Sequence, residues 1–192
     1  MASKWPDSQV RREIRELNLG FLTLLCADSS PGPGYGLDPA LRQRLRLLAP
    51  AQLEAIAATP CLLAAFTGVL PPRVSAPGVA EEPFRTVREP QSEAARLFAA
   101  SLLAWLWHTA RQDRLLAALC IGPGSLAVEY LSSAPFRDLQ RTAAVAPGCL
   151  EARFCRHPRL WPDLVRAASI PAGPVLTATR LSVVQLALVS RH

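Results

Sequence analysis

This sequence predicts an all-helical protein built from two related helical units, and three observations carry that expectation. Apolar residues recur at helical spacing near the start: Val10, Ile14, Leu17, Phe21 and Leu24 step by four and three positions, while Arg11, Arg12, Arg15 and Glu16 share the other face. Short apolar stretches open on proline, at Asp38-Pro39 and Ala49-Pro50 in the first half and at Gly122-Pro123-Gly124 and Ala134-Pro135 in the second. Finally, Cys61-Leu62-Leu63-Ala64-Ala65-Phe66 returns as Cys149-Leu150-Glu151-Ala152-Arg153-Phe154, with four identities in six.

Taken in order, the first helix presents a seam that wants a partner helix, and the run Asp28 to Gly34, rich in serine, proline and glycine, stops it. Asp38 supplies an N-cap acceptor and Pro39 a first-turn proline for a second helix with Leu41, Leu45 and Leu48 on one stripe. Pro50 opens a third, bearing Leu53 and Ile56 and ending near Pro60. Residues 67–91 hold Pro71, Pro72, Pro77, Pro83 and Pro90 without helical periodicity and read as a linker or an irregular surface wrap. A long helix, Glu93 to Arg111, then carries Phe98, Leu102, Trp105 and Leu106; a break near Gln112-Asp113 precedes Leu115 to Ile121. Short helices follow with Leu126, Tyr130 and Leu131, then with Phe136 and Leu139.

Proline-to-proline gaps of 11 and 12, then proline-to-cysteine gaps of 11 and 14, fit a tandem duplication with small insertions. The expected organisation is a first unit at 8–66, a linker at 67–91, a second unit at 92–168 and a hydrophobic tail at 169–192. That tail, with Leu181, Val183, Val184, Leu186 and Leu188, is either a short helix or an extended strand, and it is too apolar to stand in water, so it docks on the body or on a partner.

The stretch Glu13-Ile14-Arg15-Glu16-Leu17-Asn18-Leu19-Gly20-Phe21-Leu22 resembles the opening helix of the bacterial flagellar transcriptional regulator FlhD family, whose pattern is E-I-x-x-[IL]-N-L-x-[YF]-L. Gly36-Leu37-Asp38 is similar to that family's helix start, and Pro50-Ala51-Gln52-Leu53 through Ala57-Ala58-Thr59 and Phe66 to the segment after it. In the second half, Gln112-Asp113-Arg114 through Ile121-Gly122 matches the family's Q-D-K leading into G-I. The likeness covers residues 10–66 and, less fully, 94–154. It implies a compact helical fold that dimerises in the family, assembles with the zinc-containing FlhC and binds promoter DNA to regulate transcription. One chain with two FlhD-like units then forms an intramolecular pseudo-dimer, or pairs again as a homodimer, with Ile14, Leu17, Phe21, Leu24, Phe98, Leu102 and Trp105 at the repeat or partner interface. By this matching the family's dimer-linking cysteine falls at Ala64, with Cys61 three residues earlier, so the intersubunit disulfide is not carried over. Thr177-Ala178-Thr179-Arg180-Leu181-Ser182 resembles the family's T-I-T-R-L-T segment.

Composition sets the limits. The 192 residues are 50% hydrophobic and 19% charged, enough to fold and too apolar for a disordered chain. The longest apolar stretch, within Leu97 to Trp107, falls short of the roughly 18 residues that a membrane span requires. The N-terminus lacks the basic-then-apolar pattern of a secretory signal, which makes cytoplasm the expected location. Five cysteines without CxxC spacing argue against a disulfide framework and for reduced, buried thiols.

Net charge is +6, and among the basic residues only Lys4 is not arginine, a bias that fits either a G+C-rich coding sequence or a polyanion-binding surface. The cations gather late. Arg153, Arg156, Arg159 and Arg166, joined by Arg180, are the candidate nucleic-acid contacts, because the guanidinium fork suits bidentate phosphate binding. Interleaved Asp138, Glu151 and Asp163 also fit a solvated basic face, and Trp161 with Leu160 and Leu164 a core stripe. Cys149, Cys155 and His157 match no usual zinc spacing, and His108 beside Trp105 and Trp107 has no nucleophile or carboxylate pair to work with, so neither metal, cofactor nor catalysis is expected. Two functions remain: transcription regulation with an FlhC-like partner and duplex DNA, or a scaffold in a type III secretion or flagellum-like apparatus that binds protein alone.

Overall fold

In a computed structural model of the chain, residues 8–27, 34–67, 92–121, 125–170 and 173–189 are described, and they are mostly helical. The expected linker and the Gly122-Pro123-Gly124 turn lie outside the described residues, apart from Thr67 at the linker's start. The contacts divide the chain into two units, one made of Met1–Ala65 with Glu151–His192 and the other of Phe66–Leu150. This grouping differs from the sequential partition at 8–66 and 92–168: the last helix of the second stretch packs with the first unit, because its apolar face meets the N-terminal helices.

Unit 1 begins with α1 (Ser8–Ala27), whose seam is buried at Ile14, Phe21, Leu22, Leu24 and Leu25. The partner helices that the seam calls for are α2 (Pro39–Arg46) and α3 (Pro50–Ala57). Both start as their sequences require. Asp38 Oδ1 accepts from Ala40 N at 2.7 Å, and Gln52 Oε1 reaches back to accept from Ala49 N at 2.7 Å, each satisfying an amide that a helix start leaves without a partner.

Between α3 and the first strand the chain is irregular, and a buried irregular backbone must find hydrogen bonds elsewhere. Asn18, fully buried on α1, provides them. Its amide nitrogen donates to the carbonyls of Ala57, Thr59 and Cys61 at 3.1, 3.1 and 2.9 Å, and its oxygen accepts from Leu63 N at 2.8 Å.

Leu63 leads into β1 (Ala64–Phe66), which pairs with β2 (Leu150–Ala152) in a two-stranded ribbon. The fold is mostly helical, as expected, and this short ribbon is the strand structure among the described residues. Arg153 N donates to Leu63 O and Thr67 N to Cys149 O, both at 2.7 Å, so the pairing is antiparallel and sets Ala64 opposite Ala152. Those are the equivalent fourth positions of the repeated hexapeptide, so each copy runs against the other about its own centre. The chain leaves unit 1 after Ala65 and returns at Glu151, which makes unit 2 an insertion through the ribbon.

Unit 1 is completed by α8 (Leu160–Ala168), packed on α3 and α2, and α9 (Pro174–Val189), packed on α8. Trp161 is buried, and its Nε1 donates to Arg153 O at 2.8 Å, so it belongs to the core. The tail's alternatives resolve as a helix that docks through Leu176, Val183 and Ala187.

In unit 2, α4 (Glu93–Gln112) is capped by Ser92, whose Oγ accepts from Ala95 N at 3.2 Å. The break falls at Asp113, where an extended backbone ends α4 and the carboxylate accepts from Leu115 and Leu116 N at 3.0 and 2.9 Å, starting α5 (Arg114–Ile121). Helices α6 (Ser125–Ser133) and α7 (Phe136–Val145) pack on α4, as does a 3-10 turn at Ala146–Cys149. The Tyr130 and Thr142 hydroxyls hydrogen bond at 3.0 Å between α6 and α7. Phe136, at the first position of α7, is 61% exposed.

Replacing Asn18 by alanine leaves buried carbonyls and the Leu63 amide without partners. The expected loss is about 3 kcal/mol of unfolding free energy, since each unmet buried group costs roughly 1–3 kcal/mol. Urea denaturation measures it, with the exposed Thr23→Ala as a control expected within about 0.5 kcal/mol of the parent.

Candidate recognition surface

The interface residues expected from the two seams fall within their own units. Ile14, Phe21 and Leu24 are buried in unit 1 and Leu102 in unit 2, while Leu17, Phe98 and Trp105 are half-buried. Phe21 also meets Tyr35 edge-on, with ring centroids 6.0 Å apart.

The five candidate arginines do not form one face. Arg153 is 4% exposed and lies inside unit 1, its guanidinium 4.8 Å from the centroid of the Phe154 ring, so it is not presented to a polyanion. Arg180, half-buried on α9, donates from Nη2 to Ala55 O, one of the last carbonyls of α3, where the negative end of a helix dipole welcomes a cation. Burial first, and then the nearby Arg15 cation, pull its pKa down. Arg15 is itself held by Glu54 at 3.1 Å. The exposed set is Arg156, Arg159 and Arg166, and Arg166 pairs with Asp163 at 2.7 Å.

Arg156 and Arg159 flank the entry to α8. His157 Nδ1 accepts from Leu160 N at 3.1 Å and from Arg159 N at 3.4 Å, so the imidazole satisfies amides at the helix start. Among the described residues no three His, Cys, Asp or Glu side chains are grouped as they would be to hold a metal ion. The sequence reading passed over Arg44 and Arg46, which are exposed in the last turn of α2; a basic last turn next to a proline-started helix is the signal that marks them. Among the described residues of unit 1, arginines exceed acids by five, whereas in unit 2 the excess is one, so the basic character belongs to unit 1. His108 is exposed on α4.

The loop that delivers Arg156 is tightly fixed. Tyr35 O accepts from Ala152 N at 2.7 Å, and Tyr35 and Phe154 both adopt left-handed backbones, with φ of 45° and 57°. Such conformations cost non-glycine residues energy and persist where packing over-determines them. Between them Gly36, at φ 77°, fits against the loop: a Cβ there would sit 2.8 Å from both Cys155 Sγ and Glu151 Oε1. The Cys155 thiol donates to Glu151 Oε1. Burial, that hydrogen bond and the carboxylate's charge push its pKa up to about 11, so the thiol stays protonated at neutral pH and is a poor nucleophile.

Exposed apolar residues form a second feature. On α9, Val175, Leu181, Leu188 and Val189 are 55%, 54%, 46% and 69% exposed, and the helix carries one charge, Arg180, turned toward α3. Among the described residues no helix is long and apolar enough to cross a membrane. Set against known proteins, the chain matches no family model, no curated protein and no solved structure.

Gly36→Ala is expected to destabilise the protein by about 2 kcal/mol or more, combining a left-handed backbone penalty of roughly 1–2 kcal/mol with the steric clash. In a Glu151→Ala, Cys155→Ala background the clash partners are gone, and thermal denaturation is expected to show only the backbone share. For Cys155, alkylation by iodoacetamide at pH 8, followed residue by residue by mass spectrometry, is expected to be slow. Glu151→Gln removes both the charge and the carboxylate acceptor, so the thiol pKa falls and alkylation at Cys155 accelerates by about tenfold per unit of that fall.

Proposed function

We propose that the chain is an FlhD-like regulatory or adaptor protein, which works by recognition and without catalysis, and whose two sequence repeats, residues 8–66 and 92–168, stand for the two subunits of the family's dimer. One observation carries this reading. The ribbon sets the two hexapeptide copies antiparallel about Ala64 and Ala152, the relation that a two-fold axis imposes on identical segments, and Ala64 is where the resemblance puts the family's dimer-linking position. The expected partners are an FlhC-like regulator and promoter DNA, with transcription regulation as the outcome. Exposed Arg156, Arg159 and Arg166 are the phosphate contacts in this reading, and unit 1, which holds the excess charge, is the DNA-facing part.

A scaffold role in a type III secretion or flagellum-like apparatus is the second reading, and the charge-free exposed stripe on α9 favours it, since an apolar helix face of this kind suits protein assembly.

Fluorescence anisotropy with labelled duplex DNA separates the two. Transcription regulation expects binding at about 50 mM salt with a steep log–log salt dependence, and in the Arg156→Ala, Arg159→Ala, Arg166→Ala variant a slope smaller by roughly 2.7, at about 0.9 per phosphate contact. Absence of binding at that salt, alone and with an FlhC-like partner, overturns it. Co-purification with secretion proteins, lost on Leu181→Glu, then supports the scaffold.

A further inference from the structure

Unit 2 holds a set of side chains that neither reading uses. Trp107 on α4 is half-buried, and its Nε1 donates to Ala134 O at 3.0 Å, which fixes the direction of the indole. Phe136 meets it at an edge, with ring centroids 6.4 Å apart and planes inclined at 60°. One turn along α4 from Trp107, Arg111 lays its guanidinium carbon 4.9 Å from the indole centroid. Phe136 and Arg111 are both exposed.

A phenyl ring in water, an indole held by a hydrogen bond and a guanidinium over that indole is an arrangement that stability alone does not ask for. Exposing the ring forgoes burial that would stabilise the fold. Aromatic and arginine side chains with restricted freedom are, however, what anchors protein interfaces, because they lose little entropy when a partner covers them. A cation–π contact leaves the hydrogen-bond donors of a guanidinium without an acceptor, and an arginine fork is suited to a carboxylate. Among the described residues Arg111 has no carboxylate partner within ion-pair distance. Asp113, two residues after Arg111, caps α5, and Asp138, two residues after Phe136, lies 3.8 Å from Arg141. Arg137, next to Phe136, is exposed and adds a second positive charge.

We propose that Phe136, Trp107 and Arg111 form a docking site for a protein partner that presents an aromatic or branched aliphatic side chain next to a carboxylate. The partner's apolar side chain packs on Phe136 and the uncovered edge of Trp107, and its carboxylate takes the fork of Arg111. Charge complementarity selects this occupant over a basic or neutral helix. The site goes beyond the regulatory reading and stands on unit 2 alone, so a failure of DNA binding leaves it in place.

A random dodecapeptide phage library panned on the full chain tests it, with the leading peptide then synthesised and titrated by calorimetry. The selected peptides are expected to share an Asp or Glu within two positions of an aromatic residue or leucine. Phe136→Ala and Arg111→Gln, both at exposed positions, are each expected to weaken the peptide at least tenfold while circular dichroism stays unchanged. Changing the peptide's acid to its amide is expected to weaken binding to the parent protein and to have no further effect on Arg111→Gln. Selected peptides without an acid, undiminished binding to both variants, or failure of any peptide to enrich overturns the proposal. So does a chain that dimerises in sedimentation and becomes monomeric on Phe136→Ala, since the occupant is then a second copy.

Discussion

Everything in unit 1 hangs on one buried amide. The segment after α3 has neither helix nor strand to satisfy its backbone, and Asn18 meets two of its carbonyls, the last carbonyl of α3 and the Leu63 amide from a single position on α1. The consequences run outward by hydrogen bonds alone. With Leu63 fixed, its carbonyl accepts from Arg153 N and sets the ribbon register; Arg153 in turn offers its own carbonyl to Trp161, which locates α8. A polar residue inside an apolar seam is costly unless every hydrogen-bonding atom is used, and here they are used to specify tertiary arrangement.

The same economy explains why the arginines divide. Arg153 enters the interior with a ring beneath it, and Arg180 finds the carbonyl end of α3. Both are structural cations, tied to the core and to the seating of α9. Those left in water, Arg156, Arg159 and Arg166, sit on a loop and helix held by Gly36, Tyr35 and Phe154 in backbone conformations that tolerate little movement. A surface for recognition gains from such rigidity, because less freedom is lost when a partner binds.

How much of this the sequence reveals depends on distance along the chain. Helix starts at Asp38, Pro50 and Asp113 and the seam of α1 are legible, because the groups that define them lie within a few residues of one another. The ribbon is not, since its partners lie about 88 residues apart and each strand is only three residues long. For the same reason the sequence reading sees the repeated hexapeptide yet cannot tell that its copies pair. Arg153 misleads because a guanidinium is ordinarily a surface group. Asn18 stands out in sequence as a polar residue on an apolar seam, but its partners are visible only in three dimensions.

Insertion of unit 2 between Ala65 and Glu151 also bears on how the molecule is made. During synthesis the first three helices emerge with Asn18 ready to grip the following loop, yet β2, α8 and α9 are still untranslated. Unit 2 is contiguous and can close as soon as its own last residue leaves the ribosome. The part of unit 1 that precedes unit 2 must wait with one flank of its apolar interior uncovered until β2, α8 and α9 arrive, so it is begun before unit 2 and completed after it.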